Sequence, residues 1–155
     1  MIQRVQSIWL VLAVITLICM FFLPLLSKNV NGVVHGIYTS GLLTDIQTES
    51  ASSYVVRYAF VPITLNLAAA ILCFAAIFFF KNRKLQKGII LVANFVIAAL
   101  AVICFYSGQQ LPGGLNGASI AAGTFLPLVA LVFNLLAIRG IRKDEQLLRS
   151  ADRLR

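Results

Sequence analysis

Acidic residues are scarce in this chain. Asp and Glu together number five in 155 residues, beside thirteen Lys and Arg, one His, one Trp and three Cys. Charged residues make up 12% of the whole and hydrophobic ones 60%, where soluble domains run near about 25% and about 45–50%. A soluble domain of this length has too little interior to hide so much apolar surface. That excludes a soluble globular enzyme and a disordered tail. It also excludes a disulfide-stapled secreted module, because Cys19, Cys73 and Cys104 all fall within long apolar runs and nothing in their spacing pairs them. Cys19 and Cys104 share a depth, so a bridge would need their helices to touch. The simpler reading is three small packing residues, and no two are close enough to suggest a metal site.

Four apolar stretches are present, each long enough for the roughly 20 residues that cross about 30 Å of hydrocarbon. They cover residues 5–26, 57–80, 88–107 and 119–138. None contains an Asp, Glu, Lys, Arg or His between its interfaces. Ionisable groups inside a membrane usually mark function, so their absence argues against a proton relay, an ion pathway or a carboxylate-based hydrolase. The first stretch is longer than a signal-peptide core and ends in Phe21-Phe22-Leu23-Pro24-Leu25-Leu26, which offers no small-residue cleavage site. It reads as a retained helix. Residues 1–155 thus form one membrane domain: an all-α, antiparallel bundle of four transmembrane helices.

Eleven of the thirteen cations fall on one side of this arrangement: Arg4, the turn Lys81, Arg83, Lys84 and Lys87, and the tail residues Arg139, Arg142, Lys143, Arg149, Arg153 and Arg155. Lys28 and Arg57 fall on the other. The positive-inside rule places both termini in the cytoplasm. It also accounts for the net charge of +8 without nucleic acid as a partner. Lys81, Arg83, Lys84, Lys87, Arg139, Arg142 and Lys143 form a basic anchor suited to anionic lipids of the inner leaflet. Trp9, Tyr54, Tyr58 and Tyr106 occupy aromatic-belt positions.

Asn66, Asn94 and Asn134 are the polar exceptions, one in each of the last three spans. Asn94 and Asn134 lie at matching depths, so a direct amide pair is expected. As glue between helices such amides fix bundle register; the alternative is a polar ligand site. A short echo, Phe-(Leu/Val)-Pro-(Leu/Ile), recurs around Pro24, Pro62 and Pro127. Proline bends a helix by freeing the carbonyl four residues earlier, which predicts kinks at these three positions, least at Pro62 and most at Pro127. Small residues at 117/121, 118/122 and 119/123 would let backbones approach closely at the start of the fourth span.

Residues 27–56 form a long outer connection. Val33–Thr39 and Leu42–Thr48, separated by Ser40-Gly41, predict a small β-hairpin in this first extracytoplasmic loop. His35 stands in it without an acid or thiol beside it in sequence, so it is not read as catalytic. The tail, residues 139–155, has Leu147, Ala151 and Leu154 at helical spacing and Glu145 four residues before Arg149, a favourable pair.

The opening Met1-Ile2-Gln3-Arg4-Val5-Gln6-Ser7 and the closing Ile141-Arg142-Lys143-Asp144-Glu145 and Arg149-Ser150-Ala151-Asp152-Arg153-Leu154-Arg155 resemble a family of small four-span membrane proteins of Bacteroidota known as a domain of unknown function. The resemblance spans the chain. It implies a multi-pass protein of the bacterial inner membrane and carries no catalytic, cofactor or metal residues with it. The claudin outline is similar, but the first outer loop here has no Trp or Cys. The expectation is a non-enzymatic protein without cofactors: an accessory or scaffold subunit of an inner-membrane complex, with a membrane protein partner or further copies of itself. The alternative is a small transporter or lipid-handling protein that uses the Asn/Pro face.

Overall fold

The computed structural model describes residues 3–30, 33–48, 51–109 and 117–153. It is mostly helical. Four long helices, α1 (Gln3–Phe22), α2 (Phe60–Phe78), α3 (Arg83–Gly108) and α4 (Leu126–Arg153), pack in a ring in which α1 touches α2 and α4, and α3 touches α2 and α4. By length and composition three segments can cross a membrane: Phe60–Phe78, Arg83–Gly108 and Ala122–Leu147. A shorter apolar stretch, Gln6–Phe22, runs within α1.

The buried positions explain the ring. One series runs through Gln6, Leu10, Ala13, Leu17 and Met20 of α1, Pro62, Asn66, Ala69, Cys73 and Ala76 of α2, Gln86, Ile90, Ala93, Ile97, Leu100 and Cys104 of α3, and Pro127, Ala130, Asn134, Ala137, Ile141 and Asp144 of α4, with Ala70, Gly108 and Ile138 buried beside it. In each helix the series alternates steps of four and three residues. That is the 3.5-residue seam of left-handed helix packing. The seam is small or polar at many positions, whereas the outward surface carries Phe60, Phe78, Phe95, Val102 and Phe105, all more than 60% exposed. In water such a surface would be a large uncovered apolar patch. Against lipid it costs nothing, and the interior needs only close contact and satisfied polar groups.

Three buried layers stack along the ring. One end holds Leu10, Ala76, Ile90, Ala137 and Ile141. The middle holds Leu17, Ala69, Cys73, Ile97 and Ala130. The far end holds Met20, Leu25, Ile37, Leu100 and Cys104. Residue numbers rise along α1 and α3 and fall along α2 and α4 through these layers, so neighbours in the ring run antiparallel.

A five-stranded antiparallel sheet adjoins the far end. Its strands are β1 (Leu26–Val30), β2 (Val33–Tyr38), β3 (Gly41–Thr48), β4 (Ala51–Tyr58) and β5 (Ser119–Ile120), in the order β4-β3-β2-β1-β5. The hairpin expected from sequence is β2–β3, with Tyr38 opposite Gly41. Gly41 has φ 139°, a conformation that glycine adopts freely. The sheet is larger than expected because Leu26–Val30 and Ala51–Tyr58, assigned to span ends and loop, also pair. β1 meets β2 with Leu26 opposite Ile37, and β3 meets β4 with Thr44 opposite Val55. Polar residues in these two segments, among them Ser27, Lys28, Ser52 and Ser53, masked strands whose pairing partners lie elsewhere in the sequence.

The prolines do not kink helices. Pro24 lies beyond the end of α1, while Pro62 and Pro127 fall in the first turns of α2 and α4. There the missing N–H has no helical acceptor to lose, and the constraint on the preceding residue favours a boundary. Each Phe-x-Pro-x echo therefore marks a border between helix and sheet. The small residues at 117–123 are not helical either: Ser119–Ile120 form β5 and Ala122–Phe125 a 3-10 turn. The close approach they permit is internal. A Cβ on Gly123 would sit 2.4 Å from the Pro24 carbonyl oxygen.

The connection after α2 is shorter than expected. A 3-10 turn, Phe79–Lys81, leads to Asn82, whose Oδ1 accepts from the Leu85 N–H and caps α3. Arg83, Lys84 and Lys87 therefore belong to the first turns of α3. The tail is continuous with α4 as far as Arg153.

Candidate functional site

Polar side chains inside the ring are joined to one another or to backbone. Asn66 Nδ2 donates to the Leu17 carbonyl across α1–α2 at 3.1 Å. Asn134 Nδ2 donates to Asn94 Oδ1 across α3–α4 at 2.8 Å, and the Cys73 thiol donates to Asn134 Oδ1 across α2–α4 at 3.6 Å. Nearer the other end, Gln86 Nε2 donates to the Ala76 carbonyl at 3.0 Å, which joins α3 to α2. Gln6 Nε2 donates to Asp144 Oδ2, joining α1 to α4. Every contact in the ring thus carries a polar link, each at a 3.5-residue seam position of at least one partner. The three asparagines foreseen from sequence are part of this ladder, but they do not converge on one site. Asn94 and Asn134 meet; Asn66 stands apart on α1–α2, with Oδ1 buried and unpartnered among the described residues.

Gln6, Gln86 and Asp144 were missed by the sequence reading. Their signal was the seam itself: Gln6 precedes Leu10 by four, Gln86 precedes Ile90 by four, and Asp144 follows Ile141 by three. Counting only apolar residues hides it, because the outer faces are more apolar than the inner ones.

At this end Lys87 pairs with Glu145 at 2.8 Å. The expected partner of Glu145, Arg149, has a side chain outside the described residues, as does Lys81. Lys84, Arg139, Arg142 and Lys143 are exposed, and Arg83 is half-buried. Trp9 stacks on Phe133 with ring centroids 5.8 Å apart. Tyr106 is exposed, and the side chains of Tyr54 and Tyr58 lie outside the described residues. Two grooves open here. One, of about 430 Å³, lies between α3 and α4 and is lined by Leu91, Asn94, Val132, Leu135, Arg139 and Arg142 among others. The second, of about 620 Å³, is bounded by Trp9, Gly140, Lys143 and Gln146 and shares the same two arginines.

The sheet end is joined to the helices by backbone and hydroxyl bonds. Thr39 Oγ1 donates to the Met20 carbonyl at 3.0 Å, one of the carbonyls that a helix end leaves without an internal donor. Gly123 N–H reaches the Pro24 carbonyl at 3.0 Å and Ala121 N–H the Leu25 carbonyl at 3.1 Å. The Thr124 hydroxyl also reaches Leu25. Ser119 Oγ donates to the Ser27 carbonyl at 2.9 Å. His35 stands in β2 opposite Lys28. Among the described residues no group of three His, Cys, Asp or Glu could hold a metal ion.

A family model described as a domain of unknown function (DUF4293) matches residues 2–154. The chain belongs to that family. A search of curated proteins finds no match. The two end segments that first suggested the family lie together in the fold: Gln6 of the opening segment is bonded to Asp144 of the closing one. Gly140, just before the closing segment, faces Gln6 so closely that a Cβ there would lie 3.1 Å from Gln6 Cγ.

Proposed function

We propose that the protein is a non-enzymatic, four-span protein of a bacterial inner membrane, of Bacteroidota origin, that serves as an accessory or scaffold subunit of a larger assembly. α1, at 20 residues, extends about 30 Å, enough for a fourth crossing. The basic end, with Lys84, Lys87, Arg139, Arg142 and Lys143, would face the cytoplasm and the sheet the opposite side. The observation that carries the reading is the sheet. It is fixed to α1 through Thr39 and Met20, and it ends in β4, which has β3 as its single neighbour among the described residues. An eight-residue edge of unpaired backbone groups is a template for another strand. The polar ladder supports the same reading, since its amides hold helices together rather than facing one shared cavity.

The test is purification of the tagged protein from native membranes in mild detergent, with mass and composition read together. A reproducible larger complex is expected. The β3–β4 register, with Thr48 opposite Ala51, turns the Ser52 and Val56 N–H groups outward. A Ser52→Pro/Val56→Pro double variant should therefore keep the sheet and lose the partner. A lone chain from wild-type membranes would refute the subunit reading. A lipid-handling role is the second reading, favoured by the α3–α4 groove that reaches Asn94.

A further inference from the structure

The α3–α4 groove combines three features that suit one kind of occupant. Its walls are aliphatic, from Leu91, Val132 and Leu135. Arg139 and Arg142, less than one helical turn apart on α4, also line it, with no Asp or Glu among the lining residues. Neither guanidinium is engaged in a salt bridge among the described residues. Asn94 lines it as well. Its Oδ1 is taken by Asn134, which leaves Nδ2 as a donor with no partner among the described residues. Because Asn94 is level with Asn134, a rise of 1.5 Å per residue puts Arg139 about 7.5 Å and Arg142 about 12 Å further along the axis. By the same rise Leu91 and Leu135 lie between the arginines and Asn94, about 4.5 Å and about 1.5 Å from its level, and Val132 about 3 Å beyond it, so the aliphatic wall runs on from the cations past the amide.

We infer that this groove holds one anionic glycerophospholipid. Its phosphate meets Arg139 and Arg142, and an acyl chain lies along Leu91, Leu135 and Val132, past the amide of Asn94. Basic pockets between membrane helices bind acidic lipid headgroups on this principle. A free phosphate would satisfy the arginines but leave the aliphatic walls uncovered, so the occupant is a lipid. The inference deepens the lipid-handling reading and rests on the membrane placement proposed above; the leaflet, but not the binding, rests on the orientation.

The experiment is native mass spectrometry of the full-length protein in detergent micelles, titrated with dioleoyl phosphatidylglycerol or dioleoyl phosphatidylcholine. One phosphatidylglycerol per chain should be retained in preference to phosphatidylcholine. At about one unit of surface lipid attraction per cation, Arg139→Gln/Arg142→Gln should weaken retention about thirtyfold. Leu135→Trp, on an exposed wall position, should block the chain and lower retention of the same lipid. Leu67→Trp, at an exposed position of α2 outside the groove, should leave retention unchanged. Millimolar inorganic phosphate should not displace the lipid. Equal binding of phosphatidylcholine, full retention by the arginine double variant or by Leu135→Trp, an equal loss in Leu67→Trp, or displacement by phosphate would each overturn the inference. Failure of the subunit reading leaves these outcomes untouched, because they are measured on the isolated chain. A reporter after Arg155 that is active only outside the cytoplasm would move the lipid to the other leaflet.

Discussion

Gly123 offers the sharpest test of how sheet and helices are joined. A methyl group added there would lie 2.4 Å from the Pro24 carbonyl oxygen, 2.8 Å from its carbon and 2.9 Å from the Leu23 oxygen. All three are backbone atoms, so no side chain can swing aside. Relief requires the 3-10 turn to move away from the segment after α1. That movement stretches the Gly123–Pro24 and Ala121–Leu25 hydrogen bonds. Overpacking of this kind costs about 1–3 kcal/mol, and one weakened hydrogen bond about 1 kcal/mol. Gly123→Ala should therefore destabilise the protein by about 2–4 kcal/mol. At about 2–4 °C per kcal/mol for a chain of this size, Tm should fall by roughly 4–16 °C. Gly88→Ala is the matched control. It sits exposed within α3, and its added Cβ meets nothing within 4 Å. There the same substitution removes the helix penalty of glycine, about 1 kcal/mol, and Tm should rise by a few degrees. Thermal unfolding of both variants in one detergent, followed by circular dichroism, compares them directly. An unchanged Tm for Gly123→Ala, or a fall of the same size in Gly88→Ala, would refute the argument.

Asn134→Leu removes a donor to Asn94 and an acceptor from Cys73; a double-mutant cycle with Asn94→Leu should give a coupling of about 0.6 kcal/mol, with about 1.7 kcal/mol as the ceiling. Gln6→Ala strips the buried Asp144 carboxylate of its donor and should cost about 1–3 kcal/mol, whereas Gln6→Asn in place of Ala should not restore it, since the shorter side chain withdraws the amide. Pro127→Ala and Pro62→Ala should each cost only what the two buried methylenes removed are worth, about 1–2 kcal/mol, because both prolines are buried but stand where no helical hydrogen bond is lost; a rise in unfolding midpoint would mean that they bend their helices after all.

The long apolar runs of the sequence were enough to locate four helices, because burial in lipid demands only length and the absence of charge. Their ends were not legible in the same way. Hydropathy treats Leu23–Leu26 and Ser119–Phe125 as continuations of a span, yet Pro24 and Pro127 interrupt the backbone donors there, and the freed groups pair with the sheet. Tyr58 and Arg57 likewise read as a helix start, but β3 offers their backbone a partner, with Leu42 opposite Arg57. Propensity alone could not have decided that, since strand pairing depends on a neighbour distant in sequence.

The interior was harder to read for a physical reason. In a soluble protein the apolar stripe marks the inside of a helix. Here the outward faces carry Ile8, Ile15, Phe74, Phe95 and Leu128, all exposed, and the inward face is marked by its departures from hydrophobicity. Asn66 and Asn134 could be found because an amide amid apolar neighbours is conspicuous. Gln6 and Gln86 sit in the first turns of their helices and Asp144 in the charged last third of α4, where polar residues are ordinary, and only their place in the four-three alternation separates them from solvated ones. The same alternation separates Asn94 from the other amides: its neighbour Ala93 occupies the seam, so Asn94 stands beside it. From there it can hold Asn134 with its oxygen and still present its nitrogen to the groove. An amide wholly within the seam could serve only packing; displaced by one residue, it can serve packing and line the groove as well. On this account the offset of Asn94, rather than its polarity, distinguishes it from Asn66.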